Sequence, residues 1–202
     1  AGGGRVALCG IAGIGKTEAA IEYAHRYRNR HAWVLWSRAE SIQPLLRGFC
    51  AIAAAFGLPE ARGSDQLVMA QAARRALSAC GDWLLVLDSA DDLSILRDWL
   101  READGGTVIV TSRSSALGGI AQAIDLDPLD EASAAHFLLR RAALCEPEGA
   151  AAADLLAPAI DIARLAGGLP LALDQAGSYI EETGCTLAEY VGLWCEHRIR
   201  LL

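Results

Sequence analysis

Lysine is nearly missing from this chain: of its 18 Lys and Arg residues, only Lys16 is a lysine. A composition that uses arginine everywhere else has kept one compact ammonium, which marks that position before any motif is read. Basic charge as a whole is also short, since 25 Asp and Glu leave a formal net charge of -7. That balance argues against a general electrostatic grip on nucleic acid by this segment. No unbroken apolar run reaches the roughly 20 residues of a membrane helix. The most apolar stretch, Ala150 to Leu173, is broken by Asp154, Pro158, Asp161, Arg164 and Pro170. Cysteines stand at 9, 50, 80, 145, 185 and 195 without a C-x-x-C pair or a histidine at ligand spacing. They are assigned no metal and no disulfide, and read as small hydrophobes in a reducing compartment. Ala1 to Arg5 hold no signal-peptide hydrophobic region, so the expectation is a soluble cytoplasmic protein with no membrane partner.

What is present is a regular alternation. With 202 residues, 53% of them hydrophobic, the chain can bury a sizeable core. Val6 to Leu8 read as a short apolar strand, followed by a glycine-rich turn and a helix with Ala20, Tyr23, Ala24 and Tyr27 on one side. Ala32 to Trp36, aromatic and β-branched, suits a buried strand. A helical stripe follows at Ile42, Leu45, Leu46, Phe49, Ile52, Ala53 and Phe56, closed by Gly57 and Pro59. Ser64 is placed to cap another helix with Leu67, Ala73, Ala76, Leu77 and Cys80 on its apolar face. Strands at Trp83 to Leu87 and Thr107 to Thr111 bracket a short helix around Leu93, Leu96 and Leu100, and a weaker strand runs through Ala123 to Leu126. Strands this apolar, alternating with helices, predict an α/β fold: a parallel sheet covered on both faces, with ligands beyond the carboxyl ends of its strands.

Beyond Asp127-Pro128 no strand-like run occurs. Glu131 to Cys145, Ala150 to Ala166, Pro170 to Glu182 and Thr186 to Leu202 read as helices, punctuated by Gly149, Gly167-Gly168 and Gly184. The expected organisation is an α/β domain over 1–127, which the next residues identify as nucleotide-binding, and a small all-helical subdomain over 128–202.

The nucleotide enters through Gly10-Ile11-Ala12-Gly13-Ile14-Gly15-Lys16-Thr17. This is G-x-x-x-x-G-K-[ST] between a predicted strand and a predicted helix, the P-loop arrangement. Glycines let successive backbone N–H groups point at phosphate oxygens, and the helix N-terminus adds its own. Lys16 reaches the β- and γ-phosphates as a point charge, and the Thr17 hydroxyl completes the shell of a bound Mg²⁺. The Glu18 side chain faces away from the phosphates while its N–H donates. The dinucleotide fingerprint G-x-G-x-x-G is absent.

Leu84 to Leu87 form an apolar strand ending in Asp88, whose carboxylate would hold Mg²⁺ through its water shell. Ser89 follows, where many rapid ATPases of this class have a glutamate to polarise water, and a serine hydroxyl is a poor base near neutral pH. Asp91 and Asp92 are candidates to orient that water, or else to cap the next helix. Thr107 to Thr111 deliver Ser112 and Arg113 to the same sheet edge, where an arginine can read the γ-phosphate. The expectation is slow intrinsic hydrolysis, that of a weak ATPase.

With these residues in hand, the chain resembles the NB-ARC domains of STAND-class (signal transduction ATPase with numerous domains) P-loop NTPases, NLR-like proteins among them. Besides the P-loop, the resemblance rests on Trp33 to Trp36 followed by Arg38-Ala39-Glu40-Ser41, on Leu84 to Asp92, on Thr111-Ser112-Arg113, and above all on Gly168-Leu169-Pro170-Leu171-Ala172-Leu173, similar to the GLPLA motif. Leu173 to Ile180 look most like members with a tetratricopeptide-repeat sensor. The resemblance implies an ADP- or ATP-binding switch with Mg²⁺, activated by ADP-to-ATP exchange and forming a homo-oligomer. It also implies Arg113 as the sensor arginine, Pro170 and Leu171 near the nucleotide base and sugar, and winged-helix and sensor domains elsewhere in the full-length protein. The segment is thus expected to be an excised nucleotide-binding core. A turnover P-loop ATPase, or the core of a STAND-type transcription regulator whose DNA contacts lie elsewhere, are the alternative functions.

Overall fold

The structure is a computed structural model that describes residues 4–100, 105–117, 119–145 and 153–200. The chain divides into two compact units, one of Ala1–Ala12 with Lys16–Leu126 and one of Gly13–Gly15 with Asp127–Leu202.

In the first unit, strands β1 (Arg5–Cys9), β2 (Trp33–Arg38), β3 (Trp83–Asp88), β4 (Thr107–Ser112) and β5 (Gln122–Asp125) form one sheet in the order β2-β3-β4-β1-β5. Every pairing is parallel. The connecting helices are α1 (Lys16–Tyr27), α2 (Ile42–Ala55), α3 (Gln66–Ala79) and α4 (Leu93–Leu100). Alternation along β3 explains its unbroken hydrophobicity. Trp83, Leu85 and Leu87 join Ala7, Val108 and Val110 in one cluster with Leu45, Phe49 and Leu77, while Leu84 and Val86 join Ile109 in another with Ala20 and Ala24 of α1. Both faces of a central strand are covered, so no polar residue is needed on either.

The β2 run departs from its expected burial. It is one of the two edge strands, with β3 as its one neighbour among the described residues. Leu35 and Ser37 are buried, whereas Trp33, Val34 and Trp36 are 39%, 40% and 36% exposed. A run of aromatic and β-branched residues reports strand propensity and says nothing of the strand's place in the sheet. Trp33 compensates in part by packing its ring 4.7 Å from that of Phe56. On α1, Ala20 and Ala24 are the buried pair, and Tyr23 and Tyr27 pack against each other at 4.6 Å outside the core.

Two further details anchor the sheet unit. The N-cap of α3 is Asp65, one residue beyond the expected Ser64, and its carboxylate accepts from the N–H groups of Leu67 and Val68. Leu67, expected on the apolar face, is exposed, and Ala70, Ala72, Ala73 and Leu77 form the buried face. Trp83, fully buried, donates its indole N–H to the Leu77 and Cys80 carbonyls at 2.9 Å each, which satisfies the end of α3. Gly106 is required there because a Cβ would fall on the Trp83 ring.

The second unit is helical: α5 (Glu131–Arg141), α6 (Ala153–Leu165), α7 (Pro170–Thr183) and α8 (Leu187–Arg200). Gly149 and the expected start of the second helix at Ala150 lie outside the described residues. Asp130 caps α5, accepting from the Ser133 N–H at 2.9 Å. Pro170 stands in the first turn of α7, where its missing N–H costs no helix bond, and Gly184 at φ 66° ends that helix. Leu138, Leu139, Ile162, Leu173 and Ile180 make the core. Arg141 ties α5 to α7 through Asp174 at 2.7 Å, Glu181 at 2.6 Å and the Ser178 hydroxyl. Arg164 grips both carboxylate oxygens of Glu131 at 2.9 Å. Among the described residues no helix is long and apolar enough to cross a membrane, and no group of three or more His, Cys, Asp or Glu is arranged to hold a metal.

Candidate functional site

Residues Gly10 to Gly15 connect β1 directly to α1, and Lys16 is the first helical residue. Gly10, Gly13 and Gly15 sit at φ 145°, 80° and 93°, backbone regions that side-chain-bearing residues rarely adopt. The loop therefore turns as its glycine spacing requires. Lys16 Nζ donates to the carbonyl oxygens of Gly10 at 2.8 Å and Ile11 at 2.9 Å, which brings the single lysine ammonium back over the loop. Glu18 lies in the first turn of α1 with its side chain exposed.

The parallel register sets the opposite wall. Cys9, the residue before the loop, is level with Ser112 of β4 and Asp125 of β5, so the loop and the ends of β4 and β5 emerge together. From the end of β3, Asp88 is brought to the loop. Its Oδ1 accepts from the Thr17 hydroxyl at 2.8 Å and from the Thr111 hydroxyl at 2.6 Å. Thr17 and Asp88, expected to share one cation, are thus in contact although 71 residues apart in sequence. A hydroxyl and a carboxylate are the oxygen donors that a hard divalent ion such as Mg²⁺ takes.

Thr111 carries no expected role in the sequence, yet the structure gives it a central one. It is 1% exposed, and while donating to Asp88 it accepts the Ser89 N–H at 2.8 Å. A buried hydroxyl at the end of an apolar strand, among Val and Ile, is the signal that could have found it. Ser89 itself takes φ 60°, a left-handed conformation that costs a non-glycine residue about 1 kcal/mol. Its bond to Thr111, the Ala90 N–H to the Thr111 carbonyl at 2.8 Å and the Asp91 N–H to the Ser89 carbonyl at 3.2 Å hold that corner.

The two following carboxylates separate in role. Asp91 Oδ1 accepts from the Arg113 backbone N–H at 2.8 Å and the Ser112 hydroxyl at 3.2 Å, and Oδ2 accepts from Arg113 Nε at 2.6 Å. Partial burial pushes the Asp91 carboxyl up, but the Arg113 bonds and charge with the Ser112 hydroxyl outweigh it and hold the group below the usual carboxylate range. Asp92 instead accepts from the Ser94 hydroxyl at 2.7 Å and the Ser94 N–H at 2.9 Å at the start of α4, which lowers its pKa in turn. Arg113 stands just past the end of β4, its side chain 70% exposed. Cys9 is a buried free thiol pushed above its ordinary pKa by burial and by Asp125. Pro170 and Leu171 open α7 in the helical unit.

No protein-family model matches the chain. It is 28% identical, over 212 aligned positions that cover 94% of it, to a nucleotide-binding leucine-rich repeat (NLR)-like protein of the fungus Hyaloscypha variabilis, of which it spans 21%. Among solved structures it resembles a STAND protein with a tetratricopeptide repeat sensor from Pyrococcus horikoshii, with TM-score 0.53 and 20% identity over 85% of this chain and 27% of that one. It also resembles the ORC2 protein of Aeropyrum pernix, solved as ADPNP-ADP complexes, with TM-score 0.50 and 13% identity over 94% of this chain and 62% of that one. At these identities the two structures speak for the fold alone: a parallel sheet with flanking helices, as expected from the sequence. The chain spans about a fifth of the curated relative's length. Nearly the whole chain is thus similar to part of an NLR-like protein, and its fold resembles that of a STAND protein.

Proposed function

We propose that this chain is the nucleotide-reading module of an NLR-like STAND signalling switch. In this reading ADP holds the closed form, exchange for ATP opens it, and opening leads to homo-oligomer assembly in the cytoplasm. The observation that carries the proposal is the Thr17–Asp88 contact at 2.8 Å beside Lys16, which sets a hydroxyl, a carboxylate and an ammonium around one glycine turn. Backbone N–H groups of Gly10 to Thr17 and Lys16 would hold the phosphates, and Thr17 with Asp88 would hold Mg²⁺. Pro170 and Leu171 would contact the base and sugar. Arg113 would distinguish ATP from ADP. The relative's greater length supports further domains in the whole protein, and we propose a winged-helix and a sensor domain among them.

Hydrolysis is proposed to be slow, because Ser89 stands where a base would follow Asp88 and the next two carboxylates are engaged with Arg113 and Ser94. A ligand shifts a two-state protein only by its differential affinity, so the closed form must prefer ADP. Calorimetric titration of the chain with Mg-ADP and Mg-ATP tests the core of the reading. Saturable binding that is strongly weakened in Lys16→Ala is expected, and a folded wild-type chain that binds neither nucleotide would overturn it.

A further inference from the structure

We infer that Asp91 is a positioning residue for Arg113, a clamp that fixes the direction of the sensor guanidinium. The inference deepens the reading above and rests on it for its functional consequence. The geometry is that of a clamp on one side chain. One carboxylate oxygen takes the Arg113 backbone N–H at 2.8 Å, and the other takes the guanidinium Nε at 2.6 Å. The Ser112 hydroxyl adds a third donor to the first oxygen at 3.2 Å, so Asp91 is held from β4 as well as by its own chain.

The consequence lies in which edge of the guanidinium is taken. Binding at Nε leaves the two Nη groups as the outward end of a side chain that is 70% exposed. A planar guanidinium held by one edge presents its other donors along a fixed direction, the geometry that suits a phosphoryl oxygen. An exposed arginine without such a partner loses rotamer freedom when it binds, and pre-organisation removes part of that cost. Asp91 is itself fixed by the left-handed corner at Ser89, which turns the chain back from β3 toward β4. The corner, the carboxylate and the arginine form one unit, and a carboxylate so engaged is a poor candidate to take a proton from water.

Three variants and two readouts test this. Asp91→Asn keeps the shape and loses the charge, Arg113→Lys keeps the charge and loses Nε, and the third is the double variant. Proton exchange at Arg113 Nε, followed by NMR without nucleotide, decides the clamp. Exchange slower in the wild type than in Asp91→Asn by about tenfold or more is expected, and equal exchange in the two would overturn the inference. The ratio of ATPγS to ADP affinity decides the consequence. Each single variant should lower it by about tenfold and the double variant by no more than the larger single effect, because the two residues act as one. An unchanged ratio in Asp91→Asn alongside loss of slow turnover would assign Asp91 to water and overturn the inference. If the wild type binds neither nucleotide, the nucleotide reading falls, while Nε exchange still decides the clamp.

Discussion

The sheet unit and the helical unit differ in what their tightest polar clusters join. In the sheet unit one such cluster lies beyond the strand ends, with Lys16 on the loop, Asp88 between two threonines and Asp91 on Arg113, apart from the ion pairs its helices carry, such as Arg26 with Glu22. Trp83, Phe49, Leu85 and Leu87 are part of its core. In the helical unit the engaged charges lie between helices, as Arg141 on α7 and Arg164 on Glu131. The first pattern builds a surface for a ligand, since converging donors and acceptors at strand ends are where open parallel sheets bind. The second fastens helices to one another.

That contrast can be broken most forcefully at Trp83. Trp83→Ala removes a fully buried ring and both of its indole bonds. A loss of about 3–5 kcal/mol is expected, read as faster amide exchange in the strands of the sheet while the core helices of the second unit keep their protection. Lys16→Ala should leave exchange in both units near the wild type and weaken Mg-nucleotide binding about a hundredfold, roughly 2.8 kcal/mol at 1.4 kcal/mol per tenfold, checked by calorimetry. In the helical unit, Gly168→Ala meets two obstacles, a φ of 66° and the Leu129 carbonyl in the space of the new Cβ. A cost of about 1–3 kcal/mol is expected, confined to that unit.

The gentlest probe is acid. The carboxyls of Asp130, lowered by the Ser133 N–H and hydroxyl, Glu131, lowered by Arg164, and Glu189, lowered by the Thr186 N–H and hydroxyl, all lie below their ordinary range. Because the folded pKa values are depressed, their contribution is complete above the unfolded values and is lost as pH falls through the folded ones. Helix content of the second unit should therefore hold at neutral pH and decline modestly below about pH 4, followed by circular dichroism. A decline that began near pH 6 would point to other groups.

Much of the sheet unit was legible in the chain because its signals are local. The unbroken run at Leu84 to Leu87 announces a strand buried on both faces, and β3 is that strand. The same logic misplaces Ala32 to Trp36, because edge and centre differ in their neighbours and not in their own residues. Asp65 replaces Ser64 as a cap since two adjacent capping residues differ only in which reaches the N–H groups. Thr111 went unassigned for a related reason: a threonine in a β-strand is ordinary until its hydroxyl is seen between Asp88 and Ser89.

By itself the sequence determined the glycine turn, the lone lysine and the succession of strands and helices, because spacing and residue type act within a few positions of each other. Only the tertiary structure decided that Thr17, Asp88 and Thr111 share one oxygen, and that Asp91 turns to Arg113 while its neighbour Asp92 caps a helix. Those choices follow from strand register and from a left-handed corner at Ser89, and both arise from pairings between segments far apart in the chain.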